Sequence, residues 1–313
     1  MKSVKIRDTI IGNGAKIAIQ SMLNVPTTDT GAAIDCILRL ADEGCDIIRL
    51  AVPDAAAARA MKEITAASPI PVVADIHFDY RLALACIDNG VDKIRINPGN
   101  LGGADKAAAV AKAANAAKVP IRIGINGGSL EKGLLERCGG DLALAMVESA
   151  QGHIDILNRC DFDDIVLSMK SSDVKTTIRA YRLAHERFDY PLHLGVTEAG
   201  TTESGIVKSA IGIGALLADG IGDTIRVSLT DDPIEEVKAA KLILQSLDLY
   251  GDYVNIVSCP TCGRTKIDLI SIANAVRREI GNLPVKLKVA VMGFVEVLKN
   301  LFTIKKRIKQ TVQ

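Results

Sequence analysis

Short apolar runs rich in Val and Ile alternate along the chain with longer stretches whose apolar positions recur at three and four residues. The runs fall at residues 17–22, 46–52, 71–77, 93–97, 121–125, 164–169, 192–197 and 224–229. They are nearly continuous rather than alternating, which predicts strands buried on both faces. The helix-period stretches between them include 30–43, 55–67, 104–117, 142–158, 174–187 and 203–218, with 234–247 after the eighth run. Strand–helix alternation implies parallel strands joined by right-handed crossovers. Eight repeats predict an α/β fold closed as a (β/α)8 barrel, with an open doubly wound sheet as the alternative.

The pattern changes after residue 247. Residues 248–252 read as a linker, followed by a strand at 253–257, a CPTCG turn, a helix at 267–280 and a strand at 285–292. Two domains are therefore expected, a barrel over 1–247 and a small α/β unit over 248–313. The last stretch places Phe294, Leu298, Leu301 and Ile308 near one helical face, with Lys299, Lys305, Lys306 and Lys309 available to solvent. Such a basic amphipathic helix suits a membrane surface or a partner. The expected reading is a terminal helix or disordered end with no membrane role.

Composition narrows the function classes. The 313 residues are 48% hydrophobic and 24% charged, a globular balance, and the net charge of +1 argues against a nucleic-acid binder that works by bulk charge. Aromatic residues make up 3% and Trp is absent, which leaves little for base stacking. Seven irregularly spaced cysteines predict free thiols in a reducing cytoplasm rather than a disulfide framework. No apolar run reaches membrane-spanning length.

In a barrel, the carboxyl ends of the strands converge on one mouth. Read in order, those ends carry Gln20, Ser21 and Met22; Arg49; Asp75 and His77; Arg95 and Asn97; Arg122 and Asn126; Ser168 and Lys170; Thr197 and Glu198; Arg226 and Ser228. Four arginines and a lysine face two acids, Asp75 and Glu198, so a phosphate or diphosphate ligand is expected to supply the balance. The alternative is that some of these arginines tie neighbouring strands to acidic residues in loops. His77 beside Asp75 is a candidate proton donor. The glycine-bearing run at 195–214 opens a helix whose N-terminus could take phosphate, while Gly212 and Gly214 lie mid-helix and are expected to allow close packing. Farther on, Cys259 and Cys262 in VSCPTCGRT have the spacing to face one metal centre across a tight turn.

These residues sit in strings that resemble the bacterial 4-hydroxy-3-methylbut-2-enyl diphosphate synthases of the non-mevalonate isoprenoid pathway. The strings are IQSM at 19–22, VADIHF at 73–78, KIRINPGN at 93–100, IRIGINGGSLE at 121–131, LSMKSSD at 167–173, GVTEAG at 195–200 and SCPTCGR at 258–264. The resemblance spans residues 4–293. It implies a (β/α)8 barrel that binds 2-C-methyl-D-erythritol 2,4-cyclodiphosphate, joined to a small domain with a [4Fe–4S] cluster held by three cysteines and a glutamate. Arg49, Arg95, Asn97, Arg122, Asn126, Lys170, Arg226 and Ser228 would then hold the cyclodiphosphate, and Met22 would line the pocket. Asp75, His77 and Glu198 would lie near the reacting carbons, with Glu198 the acid–base group. The reaction implied is a reductive ring opening with loss of a hydroxyl as water. Flavodoxin or ferredoxin would supply electrons, and a head-to-tail homodimer would be the working unit.

The sequence departs from the family after Gly293. Phe294 stands where the third cysteine is expected, residues 294–313 contain no Cys, and Glu296 is the only nearby carboxylate. A truncated or frame-shifted end, with an incomplete cluster site, is therefore expected. Two rivals stay open: a catalytically incomplete barrel that binds the cyclodiphosphate or dimerises, and a non-redox pterin-type diphosphate-binding synthase with a structural zinc on the cysteine pair.

Overall fold

The chain enters through an antiparallel hairpin, β1 (Ser3–Ile6) and β2 (Thr9–Gly12), which the apolar periodicity had left unassigned. Val4, Ile6 and Ile11 bury against Ala18, Ile47, Val73 and Val166, which all lie at or next to the starts of barrel strands. The hairpin is thus a hydrophobic plug in the amino-terminal end of the barrel. Gly12 makes its sharp exit possible: its φ is +91°, and a Cβ there would lie 2.4 Å from the Lys2 carbonyl oxygen.

The computed structural model describes residues 2–97, 101, 103–281 and 283–293. After the plug the order is β3 (Ala18–Met22), α1 (Thr30–Asp42), β4 (Ile47–Ala51), α2 (Ala55–Ala67), β5 (Val72–Asp75), α3 (Tyr80–Asp88), β6 (Lys93–Ile96) and α4 (Ala104–Ala117). It continues through β7 (Ile121–Asn126), α5 (Leu134–Arg137), α6 (Leu142–Asn158), β8 (Ile165–Lys170) and α7 (Val174–Arg187). The barrel is completed by β9 (His193–Leu194), α8 (Thr202–Ala218), β10 (Thr224–Ile225) and α9 (Pro233–Ser246). Eight parallel strands lie in the order β8-β7-β6-β5-β4-β3-β10-β9. A parallel bridge from Leu167 to Leu192, with the Leu167 N–H donating to the Pro191 carbonyl at 2.9 Å, joins the two ends and closes the barrel.

The helices start at the mouth end, and their starts are written in the sequence. Asp29, Asp54, Asp79, Asp141, Asp173 and Asp232 each accept a backbone N–H of the first helical turn. Such a cap stabilises a helix by about 1 kcal/mol and fixes where each βα loop ends. Strands β9 and β10 are shorter than the runs that predict them. Past Ile225 the Leu229 N–H donates to the Glu236 carboxylate at 3.1 Å instead of to a neighbouring strand. Past Leu194 the chain turns through left-handed Glu198 (φ +51°) and Gly200 (φ +108°).

Compact units run over Met1–Leu249 and Tyr250–Gln313. In the second, β11 (Val254–Ser258) pairs in parallel with β12 (Leu287–Val291), and α10 (Leu269–Ile280) is the crossover between them. Val254, Leu269, Val276, Ile280 and Val291 form its own small core. Asp268 caps α10, so the helix starts two residues later than its periodicity suggests. Residues 98–100 of the KIRINPGN string, Phe294, Glu296 and the basic amphipathic stretch lie outside the described residues.

Candidate functional site

Period-two geometry puts alternate residues of every barrel strand on the lumen side. Rising by twos, β4 runs from Ile47 to Arg49, β5 from Val73 to Asp75, and β6 from Lys93 to Arg95 and Asn97. On the far wall β7 runs from Arg122 through Gly124 to Asn126, and β8 from Val166 through Ser168 to Lys170. The apolar residues low in this series pack on the hairpin plug. Above them the lumen is polar: Gln20, Lys93, Asp75, Arg95, Arg122, Ser168, Lys170, His193 and Thr224 are all buried. Most barrels fill these positions with branched aliphatics. This one fills them with charge.

Asp75 is the hub. Its carboxylate accepts from Arg95 Nη1 at 3.0 Å, with Arg49 Nε at 3.6 Å and His77 Nε2 at 3.7 Å. Burial alone would push this acid up, but Arg49 and Arg95 outweigh it and hold the group at about 2. A second hub comes from outside the sheet. Glu236 of α9 accepts from Arg226 Nη2 and Ser21 Oγ, each at 2.9 Å. Arg226 also donates to Ser228 Oγ, Arg122 Nη1 donates to Ser168 Oγ at 2.6 Å, and Arg49 Nη2 reaches Met22 Sδ at 2.9 Å. Burial lowers Arg49 to about 10, and burial with cation repulsion lowers Arg122 and Lys170 well below their usual ranges.

Two glycines make room for this packing. A Cβ on Gly124 would lie 2.4 Å from Arg95 Nε, and one on Gly195 would lie 2.5 Å from Lys170 Nζ. Only a missing side chain lets these cations cross the lumen. The loop after β7 is held in turn by Glu131, which accepts from Ser149 Oγ of α6 at 3.0 Å.

The expected charge balance needs revision. Glu198 is exposed, so it is not one of the lumen acids; Glu236 takes that place, and Lys93 adds a sixth basic residue. Arg49, Lys93, Arg95, Arg122, Lys170 and Arg226 thus share the lumen with two carboxylates, Asp75 and Glu236, among the described residues. Ion pairs explain Arg49, Arg95 and Arg226 in part. They leave Arg122, Lys93 and Lys170 without a carboxylate, and an anionic ligand of two or more charges fits that excess. Met22, Asn97, Asn126 and Ser228 lie at the upper ends of their strands or just past them. His77, 53% exposed, sits at the rim beside Asp75. Glu198 adopts a left-handed conformation that is sparsely populated for a non-glycine residue and fixes its side chain on the loop after β9.

The cysteine turn belongs to the second unit. Cys259 is half-buried and its N–H donates to the Val291 carbonyl at 2.9 Å, so β12 positions it. Cys262 is exposed; its N–H donates to Thr265 Oγ1 at 3.2 Å. Hydrogen bonds from Arg264, then Thr265, lower the Cys262 thiol and favour the thiolate that a metal needs. Two thiolates are half of a four-ligand cubane set. Among the described residues no group of three His, Cys, Asp or Glu side chains could hold a metal ion. The other five cysteines belong to the unit Met1–Leu249, and residues 294–313 contain none. Cys259 and Cys262 are the thiols that this unit offers to a metal among its described residues.

A closed (β/α)8 barrel with an anion-seeking lumen, followed by a small α/β unit bearing a cysteine turn, defines the class of protein. The chain belongs to the GcpE family: the GcpE TIM-barrel domain matches residues 1–241, and the GcpE protein C-terminal domain matches residues 255–297. Relatives include the 4-hydroxy-3-methylbut-2-en-1-yl diphosphate synthase (flavodoxin) of Ruminiclostridium cellulolyticum, 55% identical over 292 residues, 93% of this chain and 83% of that protein. The Geobacter sulfurreducens protein of the same name is 52% identical over 294 residues, 94% of this chain and 83% of its own. Among solved structures, dihydropteroate synthase from Stenotrophomonas maltophilia superposes with a TM-score of 0.57 over 79% of this chain and 98% of that chain. At 15% identity that likeness is one of fold alone, so it lends the pterin-type alternative no functional weight. No helix among the described residues is long and apolar enough to cross a membrane.

Proposed function

We propose that this chain acts on 2-C-methyl-D-erythritol 2,4-cyclodiphosphate, in the reductive dehydration that yields 4-hydroxy-3-methylbut-2-enyl diphosphate. Two electrons and two protons enter, the ring opens and one hydroxyl leaves as water. The observation that carries this reading is the lumen's excess of cations over carboxylates, set beside relatives of more than half identity that are named for this product.

Arg49, Arg95, Arg122, Lys170 and Arg226 hold the diphosphate, with Asn97, Asn126 and Ser228 completing its hydrogen bonds at the mouth and Met22 lining the carbon skeleton. Asp75 keeps Arg49 and Arg95 aligned. The rim positions of His77 and Glu198 suit proton delivery to the departing hydroxyl, Glu198 acting as the acid–base group. Cys259 and Cys262 supply two ligands toward the family's [4Fe–4S] cluster, so the substrate half is the half that these residues carry in full. Reduced flavodoxin, named in the relatives, is the electron donor. The chain works in the cytoplasm, where its free thiols persist, and as a homodimer.

Calorimetry with the cyclodiphosphate tests the reading. One ligand per barrel is expected, weakened at least about tenfold by Arg122→Met, which removes a charged hydrogen bond. No binding by the folded protein would sink it.

A further inference from the structure

Lys93 has no role in the site as read so far. It opens β6 two residues before Arg95, is fully buried, and its Nζ has no hydrogen-bond partner among the described residues. The charged groups acting on it are Arg122 from β7 and Arg49 from β4. From β9 the His193 ring adds an unpartnered Nε2, its Nδ1 being held by Thr224 Oγ1 at 2.7 Å, and from β3 Gln20 adds two unpartnered polar atoms. The lumen carboxylates are engaged elsewhere: Asp75 with Arg49, Arg95 and His77, and Glu236 with Arg226 and Ser21. An ammonium at Lys93 would be buried among like charges, and burial first, then Arg122 and Arg49, favour the neutral amine. Burial first, then chiefly Lys170 and Arg122, disfavours the charged form of His193.

We propose that Lys93 is a further member of the diphosphate site, its buried and unpartnered amine carrying a positive charge beneath the ligand's phosphates once they are bound. Binding then draws a proton from solvent onto that amine. It acts as a positioning charge from beneath the ligand, through the low-dielectric lumen. The inference rests on the diphosphate reading above. Because the ammonium form favours the ligand, affinity strengthens as pH falls and weakens as pH rises.

Calorimetric titration of the full chain in buffers of different ionisation enthalpy reads the protons taken up. Wild type is expected to bind cyclodiphosphate with net proton uptake. Lys93→Met, which replaces a buried neutral amine by an apolar chain of similar length, is expected to lower that uptake by up to one proton and weaken binding about tenfold. Lys93→Gln serves the same purpose should the methionine variant fail to fold. Unchanged uptake and affinity in either folded variant would overturn the Lys93 assignment while leaving the diphosphate reading intact. Inorganic pyrophosphate separates the two ideas. Lys93-dependent proton uptake with pyrophosphate, but no binding of cyclodiphosphate, would support the Lys93 role and overturn the substrate.

Discussion

At the scale of single residues, Asp75 decides whether the lumen holds together. Removing its charge leaves Arg49 and Arg95 buried and uncompensated, so Asp75→Asn is expected to cost about 3–5 kcal/mol in urea unfolding. The pH dependence has a definite sign. The folded carboxyl lies at about 2, below an unfolded value of about 3.9, so its contribution is fully present above that value and is lost as pH falls toward 2. Asp75→Asn should flatten the acid limb of stability in that window; an unaltered limb would mean another group controls it. Gly124→Ala tests the room made for Arg95. Its Cβ must displace the guanidinium that pairs with Asp75, so ligand affinity should fall about tenfold or more and the unfolding midpoint should fall with it, by about 1–3 kcal/mol in stability. The arginines were legible because strand ends converge and alternate residues share a face. Glu236 was not, because it reaches in from a helix beyond the last strand, and Lys93 was passed over as the first residue of a run.

At the scale of elements, the eight runs stood out because parallel strands covered on both faces need apolar side chains in succession. The hairpin plug did not, since Ser3–Ile6 and Thr9–Gly12 are too short and too polar on one face to register. Its job follows from where the polar lumen stops. A barrel with charged residues in its middle needs an apolar seal at the far end, or water would enter from both sides and weaken every ion pair above. Ile6→Ala is therefore expected to cost about 2–5 kcal/mol, because Ile6 is fully buried in the plug cluster and the site collapses poorly around a lost side chain. Ligand affinity at low denaturant should change less than threefold. A large loss of affinity with little loss of stability would mean that the plug shapes the site directly. The glycines after β9 show a mixed outcome of the same kind. A Cβ on Gly212 would meet Val196 at 2.7 Å, as close packing requires, whereas one on Gly214 would meet nothing within 4 Å.

At the scale of the whole molecule, the charged lumen and the cysteine turn belong to separate units, Met1–Leu249 and Tyr250–Gln313, and each has its own core. The first unit contains the six basic lumen residues and both carboxylates found among the described residues, so its ligand affinity should not depend on the cysteine turn. The paired variant Cys259→Ser with Cys262→Ser is accordingly expected to bind cyclodiphosphate with a Kd within about twofold of wild type, since the charged side chains of the lumen all belong to the first unit. The cysteine unit is the reverse case. Its two thiols can seat iron, and the lowered Cys262 thiol favours that, but a cubane needs four ligands. Anaerobic reconstitution of this chain should therefore yield well under four irons per chain, all of it lost in the paired serine variant, and turnover with reduced flavodoxin should track the iron rather than the bound ligand. Four irons per chain with matching turnover would show that ligands from outside the two-cysteine turn complete the site. Iron bound equally well by the serine variant would remove Cys259 and Cys262 from it altogether.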